Sequence, residues 1–89
     1  MDDRLERRYV DQTEKMDKVF ASISMDTTDQ ARDFMDMAHN YYKDSDYFFK
    51  KGDKIRAFEA IVISWSYIDA GLKLGMFSLP DELRGYFTA

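Results

Sequence analysis

AHNYYKDSDYFFKKGDKIRAFEAIVISWSYIDAGLKLG, residues 38–75, decides the fold: it reads as two helices joined at Gly52-Asp53. On the near side of the joint, Ala31, Phe34, Met35, Ala38, Tyr41, Tyr42, Ser45, Phe48 and Phe49 recur at spacings of three and four, which puts them on one helix face. Asp33, Asp36, Asn40, Lys43 and Tyr47 fall on the opposite face. Lys50 and Lys51 place cations in a last turn, and Gly52 can adopt the positive φ that ends a helix. Asp53 is then positioned to cap the next helix with its side chain.

Beyond the joint, Ile55, Phe58, Ile61, Val62, Trp65, Ile68, Leu72 and Met76 share a face, with Gly75 as the expected end. From Asp53 to Gly75 only Asp53, Lys54, Arg56, Glu59, Asp69 and Lys73 are charged. At about 100° per residue, Ala60, Ile63, Tyr67, Ala70, Gly71 and Leu74 make a second apolar stripe on the far side. A helix apolar on two sides is buried on two sides. These six residues are therefore the interface candidates, to be covered by the C-terminal segment, by a protein partner or by a second copy in a homodimer.

Working outward, residues 2–24 form the first helix, with Leu5, Tyr9, Gln12, Met16, Val19, Phe20 and Ile23 as a narrow stripe. The rest of that helix carries both signs of charge, as a solvated face laced with local ion pairs does. A binding role for Arg4, Arg7 and Arg8 is the alternative. Ser24-Met25-Asp26 is the first turn, and Thr27 with Gln30 has the spacing of a capping box. Connections this short favour antiparallel neighbours. At the other end Pro80 suits a helix's first turn, with Ser78 and Asp81 able to cap it, and Leu79, Leu83, Tyr86 and Phe87 are too apolar for a free tail. Residues 1–89 are thus expected to be a single all-α domain: an up-down-up three-helix bundle with a short C-terminal fourth helix lying on the second stripe of helix three.

Composition narrows the function classes. A chain of 89 residues that is 45% apolar can bury one core and no more. The absence of cysteine removes disulfides, thiol nucleophiles and cysteine metal sites. No run of apolar residues is long enough for a membrane span or a signal peptide, which leads to the expectation of a cytoplasmic protein with no membrane contact. A formal charge of −4 argues against nucleic acid as a partner.

The residues that could do chemistry are few. His39 is the sole histidine, and Asp36 three positions earlier completes half a metal site at best. Metal sites in bundles need such a motif on two helices plus further carboxylates, so no metal and no cofactor is expected. Asp69 lies within the apolar sector of helix three, where an unpaired carboxylate is costly. Folding helices one and two about residue 25 or 26 sets Gln12 level with His39. Folding helices two and three about Gly52-Asp53 sets His39 level with Ser66, within one turn of Asp69. A buried polar layer of Asp69, Gln12 and His39, fixing the register of the bundle, is the expected result. Were those groups to converge on an open cleft, the chain would instead be a small enzyme or a ligand-binding bundle. Asp44 and Asp46 point apart, and there is no glycine-rich phosphate loop and no G-x-S-x-G.

Tyr41-Tyr42, Asp44, Tyr47-Phe48, Gly52-Asp53, Ala57-Phe58, Ala60, Trp65, Asp69-Ala70-Gly71 and Leu74-Gly75 together resemble the DUF357 family of small archaeal proteins of unknown function. The resemblance implies a compact helical bundle and an archaeal cytoplasmic source; it implies no activity and no catalytic residues. Phe48 to Asp53 followed by Ala57-Phe58 also resembles the turn and second helix of a tetratricopeptide repeat, a peptide-binding unit that needs about three copies for a stable array. Only one copy is present. The function expected from these readings is a non-catalytic interaction module, self-associating or docking a partner through helix three and the C-terminal segment.

Overall fold

A computed structural model describes residues 4–87. Its elements are α1 (Arg4–Ser22), β1 (Ser24–Met25), α2 (Asp29–Lys50), α3 (Lys54–Lys73), β2 (Phe77–Ser78) and α4 (Asp81–Arg84). The three long helices form an up-down-up bundle with α4 as a short fourth helix. Residues 2 and 3, expected to open the first helix, lie outside the described residues. Among the described residues, no helix is long and apolar enough to cross a membrane.

The α2–α3 joint forms as its residue types require. Gly52 has φ of 83°, and the amides of Gly52 and Asp53 donate to the carbonyls of Phe49 and Phe48 at 3.0 and 2.9 Å. Those two bonds satisfy carbonyls that the end of α2 would otherwise leave open. The Asp53 carboxylate accepts from the Arg56 amide at 3.1 Å and so caps α3. Gly75, with φ of 75°, closes α3 by the same pattern, the Met76 amide reaching the Gly71 carbonyl at 2.9 Å.

What holds α2 against α3 is a seam of small side chains. The buried residues of α2 are Ala31, Ala38 and Ser45, spaced by seven. On α3, Ala57, Ser64 and Gly71 are buried at the same spacing. The Ser64 hydroxyl donates to the Ala38 carbonyl at 2.7 Å, which sets these two levels side by side. Stepping by seven in opposite directions then brings Ala31 level with Gly71 and Ser45 level with Ala57. Small residues at every contact layer let the helix axes approach closely, and α2–α3 is the most extensive helix pairing in the molecule.

The α1–α2 pairing is different. It is built from rings: Tyr9 stacks on Phe49 at 4.5 Å, and Phe20 stacks on His39 at 4.3 Å and meets Tyr42 edge-on at 5.3 Å. The Tyr42 hydroxyl donates to Asp17. Burial, and then that carboxylate, push the Tyr42 phenol above its ordinary pKa. His39 therefore faces Phe20 and not Gln12, a stagger of eight residues, or about two helical turns. The stagger arises because residues 23–28 are not a tight turn. The β1 strand runs extended and pairs antiparallel with β2, Ser24 opposite Ser78 and Met25 opposite Phe77.

That ribbon also corrects two local expectations. The first helix stops at Ser22 and does not reach residue 24. The cap of α2 is Thr28, not Thr27; its hydroxyl accepts from the Ala31 amide at 3.1 Å. Thr28 in turn donates its hydroxyl and its amide to Asp26, at 2.6 and 3.0 Å, and these bonds hold the Asp26 carboxyl below its ordinary pKa. At the C-terminal side, Pro80 occupies the cap position of α4 and no side chain bonds there, so the Ser78 and Asp81 cap does not form.

Beyond the end of α1, the space beside α3 is taken by the β1–β2 ribbon and the C-terminal segment. Met76, Phe77, Leu83 and Phe87 are buried, and Phe87 stacks on Trp65 at 4.3 Å. The tail thus covers the Trp65 side of α3, not the second stripe on which it was expected to lie. Phe77 reaches that stripe at Gly71.

Candidate interaction site

α3 is apolar around most of its circumference, and the packing above uses only part of it. Its buried face is Ala57, Ala60, Ile61, Ser64, Ile68 and Gly71. Left open to solvent are Ile55 at 65%, Val62 and Ile63 at 39% each and Leu74 at 62% relative exposure. Three large apolar side chains exposed on α3, with Leu74 at its C-terminal cap, form the outer face of the bundle. Glu59, Ser66, Ala70 and Lys73 share it, at the helical positions between them.

The six interface candidates divide. Ala60 and Gly71 are buried within the chain, Ala60 reaching solvent only as part of a groove floor. Tyr67 is half-buried between Phe34, edge-on at 5.6 Å, and Tyr41, stacked at 6.1 Å. Ala70 is half-buried, while Ile63 and Leu74 are exposed. The far stripe is thus half covered by α2, because the α2–α3 seam lies closer to that stripe than its residues suggested. Two shallow grooves flank the outer face. One, of 210 Å³, is lined by Tyr41 and Phe48 of α2 with Ala60 and Ile63 of α3. The other, of 610 Å³, lies between α1 and α3, with Arg7, Arg8, Asp11, Gln12 and Lys15 on one wall and Phe58, Val62 and Trp65 on the other.

The polar layer of Asp69, Gln12 and His39 does not form. His39 is exposed and stacked on Phe20 between α1 and α2. Gln12 is half-buried in the α1–α3 groove, which neither Asp69 nor His39 lines. The two-turn stagger of α1 separates groups that a tight first turn would bring level. Asp69 bonds along its own helix instead: its Oδ2 accepts from the Lys73 ammonium at 3.0 Å. Its Oδ1 is buried without a hydrogen-bond partner among the described residues. The buried polar contacts lie elsewhere, at Ser64 with Ala38 and at Ser45, whose hydroxyl donates to the Tyr42 carbonyl at 2.6 Å and lies 3.4 Å from the Tyr9 hydroxyl. Ser64 stood on neither stripe of helix three; its spacing of seven from Ala57 and Gly71 was the signal that could have found it.

An orphaned buried oxygen makes Asp69 a source of instability. Asp69→Leu is expected to raise the unfolding free energy by about 1 kcal/mol, because relief of an unmet buried acceptor exceeds the loss of one exposed Lys73 pair. A shift of the urea midpoint to higher concentration at unchanged slope would show it; a lower midpoint would contradict it.

Residues 7–77 match the model of a family described as protein of unknown function, DUF357. The fold is similar to the crystal structure of a protein of the same family from Archaeoglobus fulgidus, with a TM-score of 0.77 and 31% sequence identity over 88% of this chain and 96% of that one. No curated protein matches the chain.

Proposed function

We propose, given that the chain belongs to the DUF357 family of proteins of unknown function, that it is a non-catalytic interaction module that joins a second copy of itself through the outer face of α3. The observation that carries this reading is the exposure of Ile55, Val62 and Ile63 on α3 and of Leu74 at its cap. Large apolar side chains gathered in water on one side of a helix mark docking sites.

The charges on the face favour a second copy as the occupant. Glu59 and Lys73 lie seven residues to either side of Ser66. If two α3 helices cross antiparallel with Ser66 on the twofold axis, each Glu59 meets the Lys73 of the other copy, and Ile63 comes beside Ala70. Ser66 and Ala70 are small enough for close approach. The Ser66 hydroxyl donates to the Val62 carbonyl at 2.9 Å, so it brings no unmet donor to the contact. Lys73 keeps further N–H groups beyond the one given to Asp69.

Ile63→Lys is expected to give a folded monomer with unchanged far-ultraviolet circular dichroism, where the unmodified chain sediments as a dimer. Glu59→Lys and Lys73→Glu should each weaken the dimer about tenfold, and the double exchange should restore it. An unmodified chain that stays monomeric at high micromolar concentration would refute self-association.

A further inference from the structure

The channel between α1 and α3 is filled at one end only. These helices run parallel in an up-down-up bundle, and the channel between them is where a full-length fourth helix would lie. At its upper end sit Phe87, stacked on Trp65 at 4.3 Å, and Tyr86, with the Lys15 ammonium 5.6 Å above its ring. Below them the groove of 610 Å³ stays open over Phe58 and Val62. Ile55, seven residues before Val62 and on the same side of α3, is exposed beyond it.

The rim of this groove is basic: Arg7, Arg8 and Lys15 line it with a single carboxylate, Asp11. Lys15 is neutralised by Asp11 at 3.1 Å, and Lys54 by Glu6 at 3.0 Å. Among the described residues Arg7 and Arg8 have no such carboxylate, and the Gln12 amide has no hydrogen-bond partner. In a chain of net charge −4, a rim with three cations and one carboxylate beside an apolar floor is a positive patch.

We infer that this groove docks an acidic amphipathic helix of another protein, its apolar side chains on Phe58 and Val62 and its carboxylates on Arg7, Arg8 and Gln12. Guanidinium groups take carboxylates through paired N–H donors, and Gln12 can add one more bond. A helix suits the seat because the channel lies between two parallel helices and offers no strand edge. From Arg7 to Lys15 it spans about 12 Å, or about two turns, so the occupant presents apolar anchors at i, i+3 or i+4, and i+7. This surface adjoins the outer face of α3 and shares Ile55 and Val62 with it, while its arginine wall lies on α1, outside that face.

The test is selection of a displayed library of helical peptides, randomised at surface positions, on the full chain. Enriched peptides should carry Asp or Glu along one edge of an apolar stripe, and the synthetic peptides should change the fluorescence of Trp65, the only tryptophan. Arg7→Glu with Arg8→Glu should weaken their binding about tenfold or more, as should Val62→Lys, while Arg32→Glu on the exposed side of α2 should leave it unchanged. Should the charge-reversed chain unfold, Arg7→Gln with Arg8→Gln gives the same comparison without repulsion. No enrichment, enrichment without acidic bias, or equal affinity for the arginine variants would overturn the inference.

Discussion

Gly71→Ala is expected to destabilise the fold by about 1–3 kcal/mol, although alanine is the better helix former by about 1 kcal/mol. The reason is steric. A Cβ at residue 71 would fall 2.2 Å from two carbons of the Phe77 ring. That ring cannot retreat cheaply: Phe77 is buried, and its backbone is held by pairing with Met25. Accommodating one methyl group therefore means displacing the ribbon or prising α3 from it. Thermal and urea unfolding of the variant provide the measurement. A midpoint equal to or above that of the parent would mean that the ribbon is free to shift.

The larger effect is expected at Ile61. Ile61→Ala should lower the unfolding free energy by about 2–5 kcal/mol, while Ile55→Ala should stay within about 0.5 kcal/mol. Ile61 is wholly buried in one cluster with Met16, Val19, Ala38 and Ile68, so removing its outer carbons leaves a cavity. Ile55 has most of its side chain in water, and truncation there forfeits little burial. The pair is informative because both isoleucines stand on the same stripe of the sequence. Equal midpoints for the two variants would mean that α3 is rotated from the orientation described here.

That pair also marks where sequence reasoning ran out. The joint at Gly52-Asp53 was legible because all of its signals are local: a glycine for positive φ, an aspartate for the cap, cations before them. The number and order of the helices followed from periodicity in α1 and α2, whose opposite faces are polar. α3 has no polar face to give its apolar pattern a phase, so Ile55 and Val62 read as core though they face water, and Ala57 and Ser64 were overlooked. The stagger of α1 depends on β1 meeting β2, residues more than fifty positions apart, and no local signal marks such a pairing. Asp69, Gln12 and His39 were placed together on the assumption of a tight first turn, and they separate once that turn is replaced by an extended strand. Of the candidate surface, Ile63 and Leu74 were legible as apolar residues without intrachain cover; the unpaired state of Arg7 and Arg8 was not.

The seam between α2 and α3 repeats itself every seven residues, and a repeated seam does not encode its own alignment. Slide α3 by one heptad and Ala31 meets Ser64, Ala38 meets Ala57: small against small again. Nor does the seam distinguish an α3 of the same molecule from that of a neighbour. The choice of register and of chain falls to the joint, where Gly52 at φ of 83° turns the backbone back within the three residues between the helices. Were that reversal lost, α2 and α3 could run on as one long rod and exchange helices between copies with every seam contact preserved. Fidelity of assembly in this bundle thus resides in a residue with no side chain.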